Sequence, residues 1–240
     1  MVITLTALSS QASVTIPSQL DQSDRVQALE ILGYGTSGKL LSNPYPLGGY
    51  FGVEMALSFE SLDVRELSTL GALAKPQENL VYPTLSFGKG VYGNIDIFFH
   101  FIPFIERISL SKFGGLMRWS FFQSESWPLS LSAILQAGSS NIDNKVITTT
   151  FGYALVGSVQ LWKLSLFGGV GKTHAKGQFM GDNSIPNESG VTDSGLTERE
   201  RVEDAQSFGG VSYLIPPIFI TFEVDRIRET VYGLRMGFRF

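Results

Sequence analysis

From about residue 49 onward, apolar and polar positions alternate with a period of two, and the pattern recurs to the end of the chain. That period is the mark of extended strands with unlike faces. The last stretch shows it most plainly. Thr230, Tyr232, Leu234, Met236, Phe238 and Phe240 share one parity, opposed by Glu229, Val231, Gly233, Arg235, Gly237 and Arg239. One face is apolar and ends in an aromatic; the other mixes small residues with charges. A single half-buried strand of a soluble protein gives the same alternation, so repetition carries the argument. Val53–Glu60, Val81–Gly88, Ile95–Ile102, Phe113–Phe121 and Leu129–Gln136 repeat it. So do Ile147–Leu155, Trp162–Val170, Gly209–Ile215 and Ile218–Asp225.

With the last stretch this predicts an all-β fold, a transmembrane antiparallel β-barrel of about ten strands. Eight or twelve stay open, because residues 33–50 and 60–80 declare no period. Strands of about 9–11 tilted residues cross an outer membrane, and closure satisfies every backbone group where no water is present. An even count puts both ends of the barrel on one side. Four short links are expected to be periplasmic: Tyr92–Asn94, Gln123–Pro128, Ser158–Gln160 and Pro216–Pro217. The alternate links are longer or more polar: Ser61–Asn79, Pro103–Arg107, Ser139–Asn144 and Gly177–Gln206. They are expected outside, with residues 177–206 as a long extracellular loop carrying GDNSIPNESG.

Residues 1–45 read differently. Asp21 or Ser23 is placed to cap a short helix near Val26–Leu32 that Gly33 ends. The stretch GYGTSGKLLSNPYPLGG follows as loop. This N-terminal segment is expected to plug the lumen, to lie against the periplasmic rim or to be partly ordered by a partner, with residues 46–240 forming the barrel. Met1–Ala12 is mildly apolar but lacks a basic start, so a secretion signal is expected to have been removed.

Composition agrees with a membrane wall. Charged residues make up 17% of the chain, below the roughly 25% of an ordinary soluble domain. There are 18 Phe and 26 Gly, which suit strands, turns and interface belts. No apolar run reaches the roughly 20 residues of a membrane-spanning helix. A net charge of −4 gives no footing for nucleic acid, and zero Cys excludes disulfides and thiolate metal sites.

Candidate chemistry lies on the inward parity. The lumenal charges are Glu54, Glu60, Asp96, His100, Arg118, Lys163, Glu223, Asp225, Arg235 and Arg239. Glu223 and Asp225 stand on one strand and Arg235 and Arg239 on the next, so they are expected to pair inside a narrow interior. The alternative is a charged constriction that selects solutes. Inward Tyr82, Phe98, Leu116 and Phe167 fill part of the space. Asp96 and His100 share a face, which makes an acid–imidazole pair conceivable. Neither GKG at Lys89 nor GGVGK ending at Lys172 has phosphate-loop spacing, and the acids near residue 200 lack calcium-loop spacing. Trp119, Trp127, Trp162, Tyr153, Tyr213 and Tyr232 suit interface belts. His174 with Lys172 and Lys176 forms a basic outer rim, either plainly solvated or touching lipid phosphate.

The terminal YGLRMGFRF resembles the closing strand of bacterial outer-membrane β-barrel proteins. Tyr232, Leu234, Met236 and Phe238 match that superfamily's alternating positions, and Phe240 its terminal aromatic. The resemblance implies an insertion signal read by the barrel-assembly machinery, a place in the bacterial outer membrane, and outer-membrane lipids and lipopolysaccharide as surroundings. It names no activity. The inward charges make a narrow channel or transport component for small solutes the first expectation. A nonenzymatic scaffold or binding protein comes second, with a protein partner at residues 177–206 or the N-terminal segment. A membrane hydrolase comes third. No cofactor and no metal are expected.

Overall fold

The alternation becomes ten strands in a computed structural model that describes residues 14–40, 42–71, 76, 78–102, 109–124, 126–180 and 197–240. They are β1 (Val53–Asp63), β2 (Asn79–Tyr92), β3 (Ile95–Phe101), β4 (Leu110–Gln123) and β5 (Leu129–Ile142). Next come β6 (Val146–Leu161), β7 (Leu164–Met180), β8 (Thr197–Ile215), β9 (Ile218–Arg226) and β10 (Thr230–Arg239). Each pairs antiparallel with its sequence neighbours, and β1 pairs with β10 from Glu54↔Arg239 to Leu62↔Val231, so the sheet closes. The seam is fastened where Val53 and Phe240 exchange backbone hydrogen bonds of 3.0 and 2.9 Å.

Turn chemistry sets the strand ends at one side. Gly93 and Asn94 both take positive φ between β2 and β3, as a two-residue hairpin turn demands. Trp162 also takes positive φ. That moves the β6–β7 turn to Trp162–Lys163, beyond the expected Ser158–Gln160, because β6 runs on to Leu161. Pro83 lies within β2, but β3 pairs with β2 only from Leu85 onward. Among the described residues Pro83 is paired on the β1 side only, with Phe59, a setting in which a proline is tolerated. Bulges at Gly90/Tyr92 and Ser120/Phe122 break strict parity; the second leaves both Phe121 and Phe122 exposed.

The opposite side departs most from expectation. β5 continues to Ile142, so the turn there is Asp143–Asn144–Lys145 rather than Ser139–Asn144. Gly177–Met180 and Thr197–Gln206, expected as loop, are paired strand from Gly177↔Glu200 to Met180↔Thr197 and down to Gly171↔Gln206. β6, β7 and β8 have 16, 17 and 19 residues, against 9 and 10 in β9 and β10. The wall is thus tall on one flank. Above Ser207↔Arg226, β8 has no β9 partner. GDNSIPNESG and Pro103–Arg107 lie outside the described residues.

Helix α1 spans Gln22–Gly35, longer than Val26–Leu32. Asp21 caps it, its carboxylate accepting from Asp24 N at 2.8 Å. Gly33 does not end the helix. A Cβ there would meet Leu29 Cδ1 at 2.9 Å and Ala175 Cβ at 3.1 Å, so this glycine allows close approach to β7. Ala28, Leu29, Ile31 and Leu32 are all buried, more than one stripe of the helix, because α1 stands inside the barrel mouth. Around it packs an apolar cluster that includes Val14, Ile16, Leu62, Leu80, Ile142 and Phe179.

Candidate functional site

Below α1 the chain continues through the lumen as an irregular strap, residues 36–40 and 42–47. Thr36 Oγ1 lies 2.9 Å from Ser140 Oγ on β5. At the far end the Tyr45 hydroxyl donates to Pro128 O at 2.8 Å, in the β4–β5 turn. The strap therefore runs from the mouth that holds α1 to the side of the short turns. A strap with no regular structure must satisfy its backbone elsewhere, and inward side chains of the wall do this.

Arg118, wholly buried, donates to Asn43 O at 2.6 Å, Tyr45 O at 2.8 Å and Asp96 Oδ2 at 2.7 Å. Asp96 also accepts from Leu47 N at 3.1 Å. Glu54 accepts from Ser42 Oγ at 2.8 Å and lies 3.7 Å from the Arg235 guanidinium. Arg235 donates to Leu40 O at 3.3 Å. Arg239 donates to Asn43 Oδ1 at 2.9 Å and to Tyr45 O. Asp225 accepts from Gln206 at 2.9 Å and faces Lys39 at 3.9 Å. Glu60 gathers Lys112 at 3.2 Å, Lys39 at 3.8 Å and the Tyr82 hydroxyl at 2.8 Å. Buried charges thus meet opposite charges or the strap's peptide groups, the condition under which a low-dielectric interior tolerates them.

Several expectations are revised. Asp225, Arg235 and Arg239 do not pair across β9 and β10 with one another; each engages the strap or another strand. Glu223 is buried on β9 among the inward groups. Lys163 is not lumenal: it sits exposed in the β6–β7 turn. His100 points inward but does not join Asp96. Gly114 receives its ring, and a Cβ on that glycine would overlap His100 Nε2. Its Nε2 has no hydrogen-bond partner among the described residues. Lys112 and Lys39 were not anticipated. Lys112 shares even parity with Arg118 on β4, so extending the strand by one residue before Phe113 would have exposed it. Lys39 lies in a segment without a period, and no local signal marks it.

Between the strap and the wall lies a small cavity of about 20 Å³, lined by Lys39, Glu60, His100, Lys112 and Arg235 among others. That is room for about one water. Beside it Thr84 Oγ1, Ser86 Oγ and His100 Nε2 have no hydrogen-bond partner among the described residues.

The exterior is the inverse of this lumen. Met55, Phe59, Phe99, Leu155, Phe222 and Met236 are 46%, 51%, 63%, 60%, 42% and 57% exposed, and like residues face outward from every strand. Soluble monomers rarely show apolar patches above a few hundred Å²; here the belt surrounds the molecule. Trp127 and Trp162 stand at the short-turn end, with Trp119 and Tyr213 close to it. Tyr153 and Tyr232 stand nearer the other end. A closed, even-stranded wall with such a belt is made for hydrocarbon. The chain is a membrane-spanning β-barrel. Tyr232, Leu234, Met236 and Phe238 all face lipid, and Phe240 stands exposed at the end of the seam.

No protein-family model and no curated protein matches this barrel. Among solved structures it is similar to the N-terminal β-barrel domain of Pseudomonas aeruginosa OprF. That match has 12% identity over 79% of this chain and 97% of that one, with a TM-score of 0.41. It is also similar to the attachment invasion locus protein Ail of Yersinia pestis, at 11% identity, 79% and 98% coverage and a TM-score of 0.32. Omp33 of Acinetobacter baumannii matches at 8% identity, 83% and 100% coverage and a TM-score of 0.32.

Proposed function

We propose that this barrel is a nonenzymatic transport component for small solutes, whose polar path is closed by its own N-terminal strap. One observation carries this reading. The inward charges of β1, β3, β4 and β10 pair with one another, as in Arg118–Asp96, Glu60–Lys112 and Glu54–Arg235, and also reach the strap: Arg118, Lys112, Arg235 and Arg239 donate to its carbonyls, and Asp96 accepts from Leu47 N. A wall that needed only to be solid could be filled by its own apolar side chains. This wall keeps a polar channel's lining and fills it with a separate piece of chain.

The chain lacks cysteine, so a reversible lock is simple to install. Asn43 Nδ2 and Ser212 Oγ lie 3.4 Å apart, and Asn43→Cys with Ser212→Cys would tether strap to wall. Reconstituted wild-type protein is expected to show sparse, small conductance, abolished by oxidising the double variant and restored by reduction. Removal of residues 2–47 should give a continuously open path. Conductance that ignores the lock, or its absence in wild type and truncated barrel alike, would defeat the proposal.

A second reading has its own support. The apolar cluster around α1 includes Leu20, Leu29, Ile31 and Leu32, each 0 or 1% exposed. At about 1.5–3 kcal/mol per buried side chain, withdrawing the helix is costly. A permanently filled barrel would be a membrane anchor that presents its tall β7–β8 flank to a protein partner. Silence of the reduced double variant, together with a partner retained from membranes through that flank, would favour it.

A further inference from the structure

The small cavity between strap and wall is lined by more hydrogen-bond donors than its neighbours use. Lys39 of the strap, Lys112 of β4 and Arg235 of β10 all reach it, and Glu60 is the one carboxylate among its lining residues. Glu60 already accepts from Lys112 at 3.2 Å and from the Tyr82 hydroxyl at 2.8 Å. An ammonium offers three donors. Lys112 engages Glu60 and Ser37 O, and Lys39 engages Gly35 O and Ser37 O, which leaves one donor on each. The carboxylates nearest Lys39, of Glu60 at 3.8 Å and Asp225 at 3.9 Å, lie beyond hydrogen-bond reach.

Arg235 and β2 add further free donors. Arg235 Nη1 donates to Leu40 O, but Nε and Nη2 have no hydrogen-bond partner among the described residues, and Glu54 stands 3.7 Å from Nη2. The hydroxyls of Thr84 and Ser86, inward on β2 and on the cavity wall, are likewise unpartnered among the described residues. Thr84, Ser86 and Arg235 are only 3%, 4% and 5% exposed, so bulk water does not serve them. Buried donors without acceptors are costly, and here several surround one cavity.

Size and charge select the occupant. About 20 Å³ admits one water or one monatomic ion and excludes sulfate, phosphate and carboxylates. A water must also place two hydrogens of its own, and a shell of donors gives them few acceptors. A halide accepts from every side and meets the charge of three cations set against one carboxylate. Glu54 and Asp225 offset part of that charge from behind without entering the wall. Leu40, Phe98 and Leu116 line the rest, an apolar setting that strengthens each contact. We infer that this cavity is a binding site for chloride, which seats the strap by joining Lys39 to β2, β4 and β10. The site belongs to the filled barrel and holds whether or not the lumen conducts.

The test titrates purified, folded barrel in detergent with chloride or bromide at constant ionic strength, isethionate, too large for the cavity, being the anion replaced. Either halide should raise the thermal midpoint, as a ligand of the folded state must. In crystals grown with bromide, anomalous scattering should place one ion among Lys39, Lys112 and Arg235. Thr84→Val and Ser86→Ala each remove a hydroxyl and leave every charge in place, and heat-modifiable migration on gels reports that they fold. Each should raise the halide concentration for the half-maximal shift roughly tenfold. Ser158→Ala removes an inward hydroxyl outside the cavity, one that donates to Ser130 O at 3.5 Å, and should titrate as wild type does. Equal midpoints in halide and isethionate would overturn the inference, as would a cavity that holds only water in the bromide crystals. So would an unchanged titration in both hydroxyl variants, or an equal loss in Ser158→Ala.

Discussion

Arg118 shows how much one lumenal side chain holds. It joins β4 to β3 through Asp96 and to the strap through two carbonyls, with no access to water. Arg118→Ala leaves a buried carboxylate without its cation. The expected cost is about 3–5 kcal/mol, read as a lower thermal midpoint of the barrel in detergent. Replacing Asp96 by Asn in the same chain should recover part of that loss, because the uncompensated charge is then gone. Asp21 makes a milder, pH-dependent contribution at the mouth away from the short turns. The Asp24 amide, and after it the Ser23 hydroxyl, hold its carboxyl below the usual carboxylate range. A depressed folded-state value stabilises the ionised form. The cap is therefore fully effective above the unfolded-state value and fades as pH falls through the folded one. Amide exchange in the first turn of α1 should quicken in acid, and Asp21→Asn should flatten that dependence.

At the scale of elements, α1 and the β6–β8 flank define each other. The wall is smallest where the helix presses on it: a Cβ at Gly177 would meet Leu29 Cδ1 at 2.8 Å, beside Ala175 under Gly33. Gly177→Val should push α1 off its seat while leaving the ten-strand ladder intact. Faster proteolysis near residues 20–35, with unchanged heat-modifiable migration of the barrel, is the expected outcome. Loss of the folded band would show instead that helix and flank fold as one unit. The upper part of β8, Thr197–Gln206, has no strand partner on its β9 side among the described residues, and its Arg/Glu alternation fits the charged character by which exposed edges resist pairing with other chains.

The whole molecule depends on a seam between the ends of the barrel sequence. Phe240 supplies both the terminal aromatic and the last pair of backbone bonds, to Val53. Deleting Phe240 removes those bonds along with the ring. It should lower the fraction of chains that reach the heat-modifiable folded form, by more than Phe240→Ala, which keeps the backbone. Equal yields from the two would assign the effect to the ring alone.

The membrane made most of this architecture legible in sequence. Hydrocarbon demands an apolar residue at every second position, so the parity of ten strands, their outward faces and their inward charges could be read directly. That demand stops at the edge of the apolar belt. Above it β7 and β8 carry polar residues on their outward face, and Thr197–Gln206 reads as loop although it is strand. Turns follow a different rule, and Lys163 left the lumen because a two-residue turn at Trp162–Lys163 displaced the strand start. The strap was beyond reach for another reason. Residues 36–47 have no period, and Lys39 meets Glu60 and Asp225 only because a closed wall brings strands 21 and 186 positions away around it. Local chemistry determined the wall. Closure alone decided what fills it, since the partners of a lumenal charge are set by which strands face one another across the barrel.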